Sequence, residues 1–157
     1  MSTYRKNATP APEADLLLSK QLCFAVYSVS LAMSKVYRPL LAPLGLTYPQ
    51  YLVMLALWEC EGLSIAELGA RVALDSGTLT PLLKRLQALG CIERTRSAAD
   101  ERQVLITLTR RGVELQSRAQ AVQEQASCAT ACSARERQAL TAKLHALRAS
   151  LLAHIDH

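Results

Sequence analysis

The sequence predicts a mainly α fold: a winged helix-turn-helix with a small β-hairpin wing, flanked by N- and C-terminal dimerisation helices. Three observations predict it. Two helical segments, "SIAELGARV" and "SGTLTPLLKRLQALG", are separated only by "ALD", the outline of a helix-turn-helix. Two runs of strand composition follow, "CIERTRS" and "QVLITLT", joined by the charged "AADER", as in a hairpin with a polar tip. Long segments with apolar residues at three- and four-residue steps lie on both sides of this unit.

The elements are justified in turn. Residues 1–14 lack an apolar core and read as a disordered tail. Asp15 is placed to cap a first helix running to about Val36, on which Leu18, Leu22, Val26, Val29 and Met33 share a face. Pro39 and Pro43 disturb "YRPLLAPLGLT", and Gly45 turns the chain. Thr47 with Gln50 forms a capping box for a second helix, and Pro49 sits in its first turn. Ser64 with Glu67 opens the third helix in the same way. The fourth ends on Gly90 as its cap. Pro81 lies inside that fourth helix and predicts a local distortion. Thr109 caps a long helical region that loosens at "ASCATACS". Ser133 with Glu136 then starts a last helix with leucines at 140, 144, 147 and 151. The resulting division is a tail (1–14), an N-terminal helix of the dimerisation region (15–46), a DNA-binding winged helix (47–109) and C-terminal dimerisation helices (110–157).

Composition narrows the partners. The chain has 157 residues, half of them hydrophobic, and a formal net charge of +5, which suits a nucleic-acid partner. The N-terminal residues do not have the pattern of a signal peptide, and no stretch of about 18 apolar residues occurs, so a cytoplasmic location and no membrane partner are expected. Five cysteines, Cys23, Cys60, Cys91, Cys128 and Cys132, make an odd set. In a reducing compartment they do not read as a disulfide framework. The C-x-x-x-C at 128–132 has no histidine beside it, so no metal and no cofactor are expected.

The second helix of a helix-turn-helix enters the major groove with its N-terminal residues near base edges. Here that end carries Ser76, Thr78 and Thr80, short hydrogen-bonding side chains, followed by Lys84 and Arg85. The hairpin carries Arg94, Arg96 and Arg102, and an arginine at a wing tip suits the minor groove. Asp100, also assigned to this interface, is placed to hold the Arg102 side chain by a charge-assisted bond. The expected partner is double-stranded operator DNA, pseudo-palindromic because a dimer reads two half-sites.

With these residues in place, the chain resembles the MarR family of dimeric winged-helix regulators, from about Leu16 to the C-terminus, with the wing "DERQVLITLT". Its "LDSGTLTPLLKRLQALG" and "LCFAVYS … VYRPLL … LGLTYPQYLVML" segments resemble the OhrR branch, repressors that sense organic hydroperoxides. The resemblance implies a homodimeric repressor that senses through Cys23, with Tyr27, Tyr37 and Tyr48 around the thiol, partly supplied by the partner subunit. It also implies the two-cysteine type, in which Cys128 resolves oxidised Cys23 as an intersubunit disulfide and small thiols can reduce it. Cys132, one turn further, is the alternative resolving residue.

The chemistry fits these residue types. A thiolate, not a thiol, attacks a peroxide. An apolar helix around Cys23 should bury it and raise its pKa, and tyrosine hydroxyls donating to the thiolate would oppose this. The sulfenic acid so formed condenses with a second thiol. Cys60 and Cys91 read as structural, Tyr51 as packing, and His145, His154 and His157 take no role. Two other functions compete: a regulator of the same family released by a small-molecule ligand, and a thiol peroxidase. The second would leave the DNA-reading unit unexplained, so the chain is not expected to be an enzyme.

Overall fold

A computed structural model describes residues 14–98, 100 and 102–155, so the expected tail lies, apart from Ala14, outside the described residues. The chain divides into two units, residues 1–35 and 36–157. No single helix among the described residues is long and apolar enough to cross a membrane.

The described part of the first unit is helical but begins differently from expectation. Asp15 does not cap the first helix. Residues Ala14–Leu16 and Leu18–Lys20 form two 3₁₀ turns, and α1 runs Leu22–Leu41. The cause is local: Leu17 and Gln21 are extended, with ψ of 128° and 119°, which interrupts the helical hydrogen-bond ladder on either side of Leu18–Lys20. The Gln21 side-chain amide donates back to the carbonyls of Asp15 and Leu17. Leu22, Phe24, Val26, Tyr27, Val29 and Leu31 are all exposed on α1. A helix apolar on most of its circumference calls for a covering surface.

In the second unit α1 continues through Pro39 to Leu41 and passes into a 3₁₀ turn, Ala42–Leu44. Gly45 follows at φ 71°; its N–H bonds Ala42 O (3.0 Å) and that of Leu46 bonds Leu41 O (3.4 Å). Only glycine adopts this left-handed corner cheaply. Helix α2, Tyr48–Glu59, is the central element, with Tyr51, Val53, Met54 and Leu57 all buried. Gln50 Oε1 accepts from the Thr47 N–H at 2.8 Å, closing the start of α2.

The helix-turn-helix is α3, Ile65–Val72, and α4, Ser76–Ala88. Ser64 and Glu67 make the expected capping box: Glu67 Oε2 accepts from the Ser64 N–H (2.8 Å) and Ser64 Oγ accepts from the Glu67 N–H (3.3 Å). Helix α4 runs through Pro81 without a break, and its Leu79, Leu83 and Leu86 are buried at four- and three-residue spacing. Its cap is Leu89, and Gly90, at φ 70°, stands one position beyond. The Gly90 N–H bonds Gln87 O and the Cys91 N–H bonds Leu86 O, a Schellman ending.

The wing is larger than the hairpin foreseen. Strands β2 (Ile92–Arg96) and β3 (Val104–Leu108) pair antiparallel, and a third strand, β1 (Leu63–Ser64), adds on the other side of β3, in the order β1-β3-β2. Two residues carry too little periodicity to announce a strand; Leu63 becomes one by pairing with Ile106, far away in sequence.

Helix α5, Arg110–Ala129, is capped by Thr109, whose Oγ1 accepts from the Gly112 N–H at 3.1 Å. One face of α5, Leu115, Ala119, Val122 and Ala126, is buried within the subunit, so α5 belongs to the subunit core as well as to any dimer surface. Helix order does not loosen at Ser127 and Cys128, which complete the last turn of α5; the joint is Thr130–Ser133. The Ser133–Glu136 box opens α6, Ala134–Ile155, which buries no residue and exposes Leu140, Leu144, Leu151, Leu152 and Ile155.

Candidate nucleic-acid interface and redox site

The N-terminus of α4 is presented by an aspartate cap. Asp75 Oδ1 accepts from the Thr78 N–H and Oδ2 from the Thr78 hydroxyl, both at 2.8 Å. These bonds, the backbone one first, hold the Asp75 carboxyl below its usual pKa. Thr80 Oγ1 donates to Ser76 O at 2.7 Å. The hydroxyl protons of Thr78 and Thr80 are thus engaged within the helix, leaving their oxygens as acceptors. The Ser76 hydroxyl makes no bond among the described residues and is free to donate to a phosphate. Lys84 and Arg85 are both exposed about one turn further on.

The wing arginines separate. Arg102 and Arg96 are exposed. Arg94, expected to face DNA, is half-buried. It pairs with Ile106 and shares a sheet face with Ile92, both fully buried, and its Nε and Nη2 are buried without a hydrogen-bond partner. The strand alternation Ile92–Arg94 already placed it inward. Asp100 also acts differently: its Oδ1 accepts from the Arg102 backbone N–H at 3.0 Å, shaping the turn rather than holding the guanidinium.

The expected redox residues fall in different units. Cys23 and Tyr27 are in the first, and both are exposed, Tyr27 by 61%. The burial expected for Cys23 is therefore not supplied by the residues of its own helix. Tyr37, Tyr48, Cys128 and Cys132 are in the second. There the structure brings together three tyrosines: the Tyr37 ring lies 4.8 Å from that of Tyr48 and 5.6 Å from that of Tyr51. Burial first, then the nearby phenols of Tyr51 and Tyr48, push the Tyr37 pKa up to about 12. Burial raises those of Tyr48 and Tyr51 as well. All three therefore remain protonated donors at neutral pH. Tyr37 donates to Gln123 Oε1 of α5 at 3.2 Å, whereas the half-buried Tyr48 hydroxyl is unengaged.

Gln123 and Tyr51 escaped sequence reasoning in this role. The hydrophobic spacing of α2 marks Tyr51 as core, and it is, at 1% exposure, but its hydroxyl is buried with no partner among the described residues. An orphaned buried hydroxyl carries a desolvation cost of about 1–3 kcal/mol. Tyr51→Phe is accordingly expected to raise unfolding stability by about 1 kcal/mol in urea titrations. A loss of stability would mean that the hydroxyl has a bonding partner after all.

The chain is similar to known transcriptional regulators. Residues 35–118 match the family described as transcriptional regulator SarA/Rot. The chain is 51% identical over 134 residues to the HTH-type transcriptional regulator TtmR of Methylorubrum extorquens, spanning 85% of this chain and 69% of that protein. It is 53% identical over 102 residues to the organic hydroperoxide resistance transcriptional regulator of Bacillus subtilis, spanning 65% and 69%. Among solved structures it resembles AbfR, known from Staphylococcus epidermidis. The reduced, DNA-bound form matches with TM-score 0.68 and 38% identity over 86% of this chain and 95% of that one. The disulfide form matches with TM-score 0.59 and 40% identity over 83% and 91%.

Proposed function

Because the chain belongs to the SarA/Rot family of transcriptional regulators, with a MarR-type winged helix, we propose that it is a DNA-binding repressor which senses organic hydroperoxides through Cys23. In this reading it is not an enzyme and it works in the cytoplasm. Residues 47–109 grip a pseudo-palindromic operator duplex, while 15–46 and 110–157 join two copies. Ser76, Thr78, Thr80, Lys84 and Arg85 serve the major groove, and Arg96 and Arg102 the phosphates and minor groove beside it. Asp100 acts indirectly, by shaping the wing turn.

The observation that carries the sensing half is the exposure of Cys23 on an uncovered apolar helix. Leu22, next to it, is 60% exposed, and Val26 and Tyr27, one turn on, are 42% and 61% exposed. A second subunit covering that face would leave the thiol in an apolar pocket suited to an organic hydroperoxide. Phenol hydroxyls donating to the sulfur favour its thiolate. In this reading Tyr48 of the partner subunit is free to do this, whereas the partner's Tyr37 must first give up its bond to Gln123, and Tyr27 lies one turn from the thiol on its own helix. The thiolate attacks the peroxide and becomes a sulfenic acid, releasing an alcohol. Condensation with Cys128 of the second subunit releases water and leaves a disulfide, which small thiols reduce. The dimer then holds its two α4 helices in a spacing that no longer fits half-sites about 34–36 Å apart.

The test uses a duplex selected from a random pool by the reduced protein. One equivalent of cumene hydroperoxide is expected to lower the affinity of wild type at least tenfold and to leave Cys23→Ser bound. Equal release of both proteins would overturn the reading.

A further inference from the structure

The two C-terminal cysteines share one cavity. Cys128 is exposed in the last turn of α5, and Cys132 follows the helix end, half-buried. Between them the chain reverses tightly. The Thr130 N–H bonds Ser127 O (3.2 Å), the Ala131 N–H bonds Cys128 O (3.1 Å), and Ala131 takes a left-handed φ of 54°. The corner is fixed by further bonds: Cys132 Sγ donates to Thr130 O and the Cys132 N–H to Thr130 Oγ1, each at 3.3 Å. Arg137, from the first turn of α6, donates to Cys132 O. As a result Cys132 returns to the side of α5 that carries Cys128. Both thiols line a cavity of about 390 Å³ with Gln123, Glu124, Ser127 and Arg137.

We propose that Cys128 and Cys132 form an intrachain dithiol, and that their disulfide takes over from the crosslink between subunits. The pair itself stands on the shared cavity. Its input rests on the sensing reading above, which supplies a bond between Cys128 and Cys23 of the partner subunit. The Cys132 thiolate attacks the Cys128 sulfur of that bond. A Cys128–Cys132 bond forms, the bond to the sensor breaks, and the sensor sulfur leaves with the electron pair. It takes up the proton that Cys132 gave off. Cys132 is oxidised as the sensor is reduced, so the exchange needs no oxidant beyond the hydroperoxide already consumed. The subunits part, the sensor thiol is restored, and the oxidation is stored on the corner between α5 and α6. Cys132 is thereby more than a substitute resolving residue: it limits the lifetime of the crosslink.

The experiment has two arms. In the first, Cys23→Ser is oxidised with diamide and digested with trypsin. Both cysteines lie in one tryptic peptide, residues 119–135. The expected product is that peptide lighter by two hydrogens and closed to alkylation. In the second, wild type and Cys132→Ser receive one equivalent of cumene hydroperoxide with no reductant, and non-reducing gels follow the covalent dimer. The wild-type band is expected to rise and then decay as Cys23 regains alkylation. In Cys132→Ser it should persist at least ten times longer. Equal persistence in both proteins overturns the exchange, and two free thiols after diamide overturn the pair. If wild type never crosslinks, the sensing reading fails and the exchange with it, while the diamide arm still decides the pair.

Discussion

Replacing Gly112 by alanine is expected to be among the most damaging single changes to the fold. A Cβ at this position would stand 2.0 Å from the backbone oxygen of Cys91 and 3.2 Å from Leu108 Cδ2. The obstacle is a main-chain carbonyl, which cannot rotate aside as a side chain can. That carbonyl also accepts from the Thr109 N–H at 3.1 Å, and the Gly112 carbonyl accepts from the Trp58 indole N–H at 2.9 Å. Making room for one methyl group therefore strains the end of β3, the first turn of α5 and the anchor of α2 together. The expected cost is on the order of 3 kcal/mol or more, read as a lower urea midpoint by circular dichroism. An unchanged midpoint would show that the start of α5 can slide away from Cys91.

Leu83→Ala should cost about 3 kcal/mol by a different route. Leu83 is 0% exposed, in the middle of the buried stripe that seats α4 on the rest of the winged unit. The truncation leaves a void that its fully buried neighbours Leu79 and Leu86, fixed on the same helix, cannot fill. Because α4 presents Ser76 and the two threonines, the loss should also appear as weaker binding to the selected duplex when assayed near the unfolding transition. A variant as stable as wild type would mean that α4 settles into the space. Gly112→Ala and Leu83→Ala together separate a clash in the main chain from a missing contact.

The features legible in the sequence are the ones set by residues close together in the chain. Thr47 with Gln50, Ser64 with Glu67, Thr109, and Ser133 with Glu136 each mark a helix start, because a cap is a contact across three residues. What escaped depends on distant partners. β1 exists because Ile106 lies beside Leu63, and the constraint on Gly112 comes from the Cys91 carbonyl. The Tyr37–Gln123 bond joins α1 to α5 across 86 positions. Asp15 failed as a cap for the opposite reason: its residue type was right, but the extended Leu17 and Gln21 leave no continuous helix for it to start. The half-burial of Arg94 follows strand parity with Ile92, a signal that the reading of charge passed over.

Ser64 belongs to two elements at once. It pairs with Leu105 in the sheet and caps α3 through Glu67. The wing is fastened at the same corner, where the Gly62 N–H bonds Ile106 O and Glu61 Oε1 accepts from the Leu108 N–H. Among the described residues the base of the wing is thereby tied to the start of α3. A tilt of α3 is therefore expected to carry the base of the wing with it. A regulator tied in this way is expected to engage and release its duplex in one step, its occupancy on a promoter behaving as a latch rather than a dial.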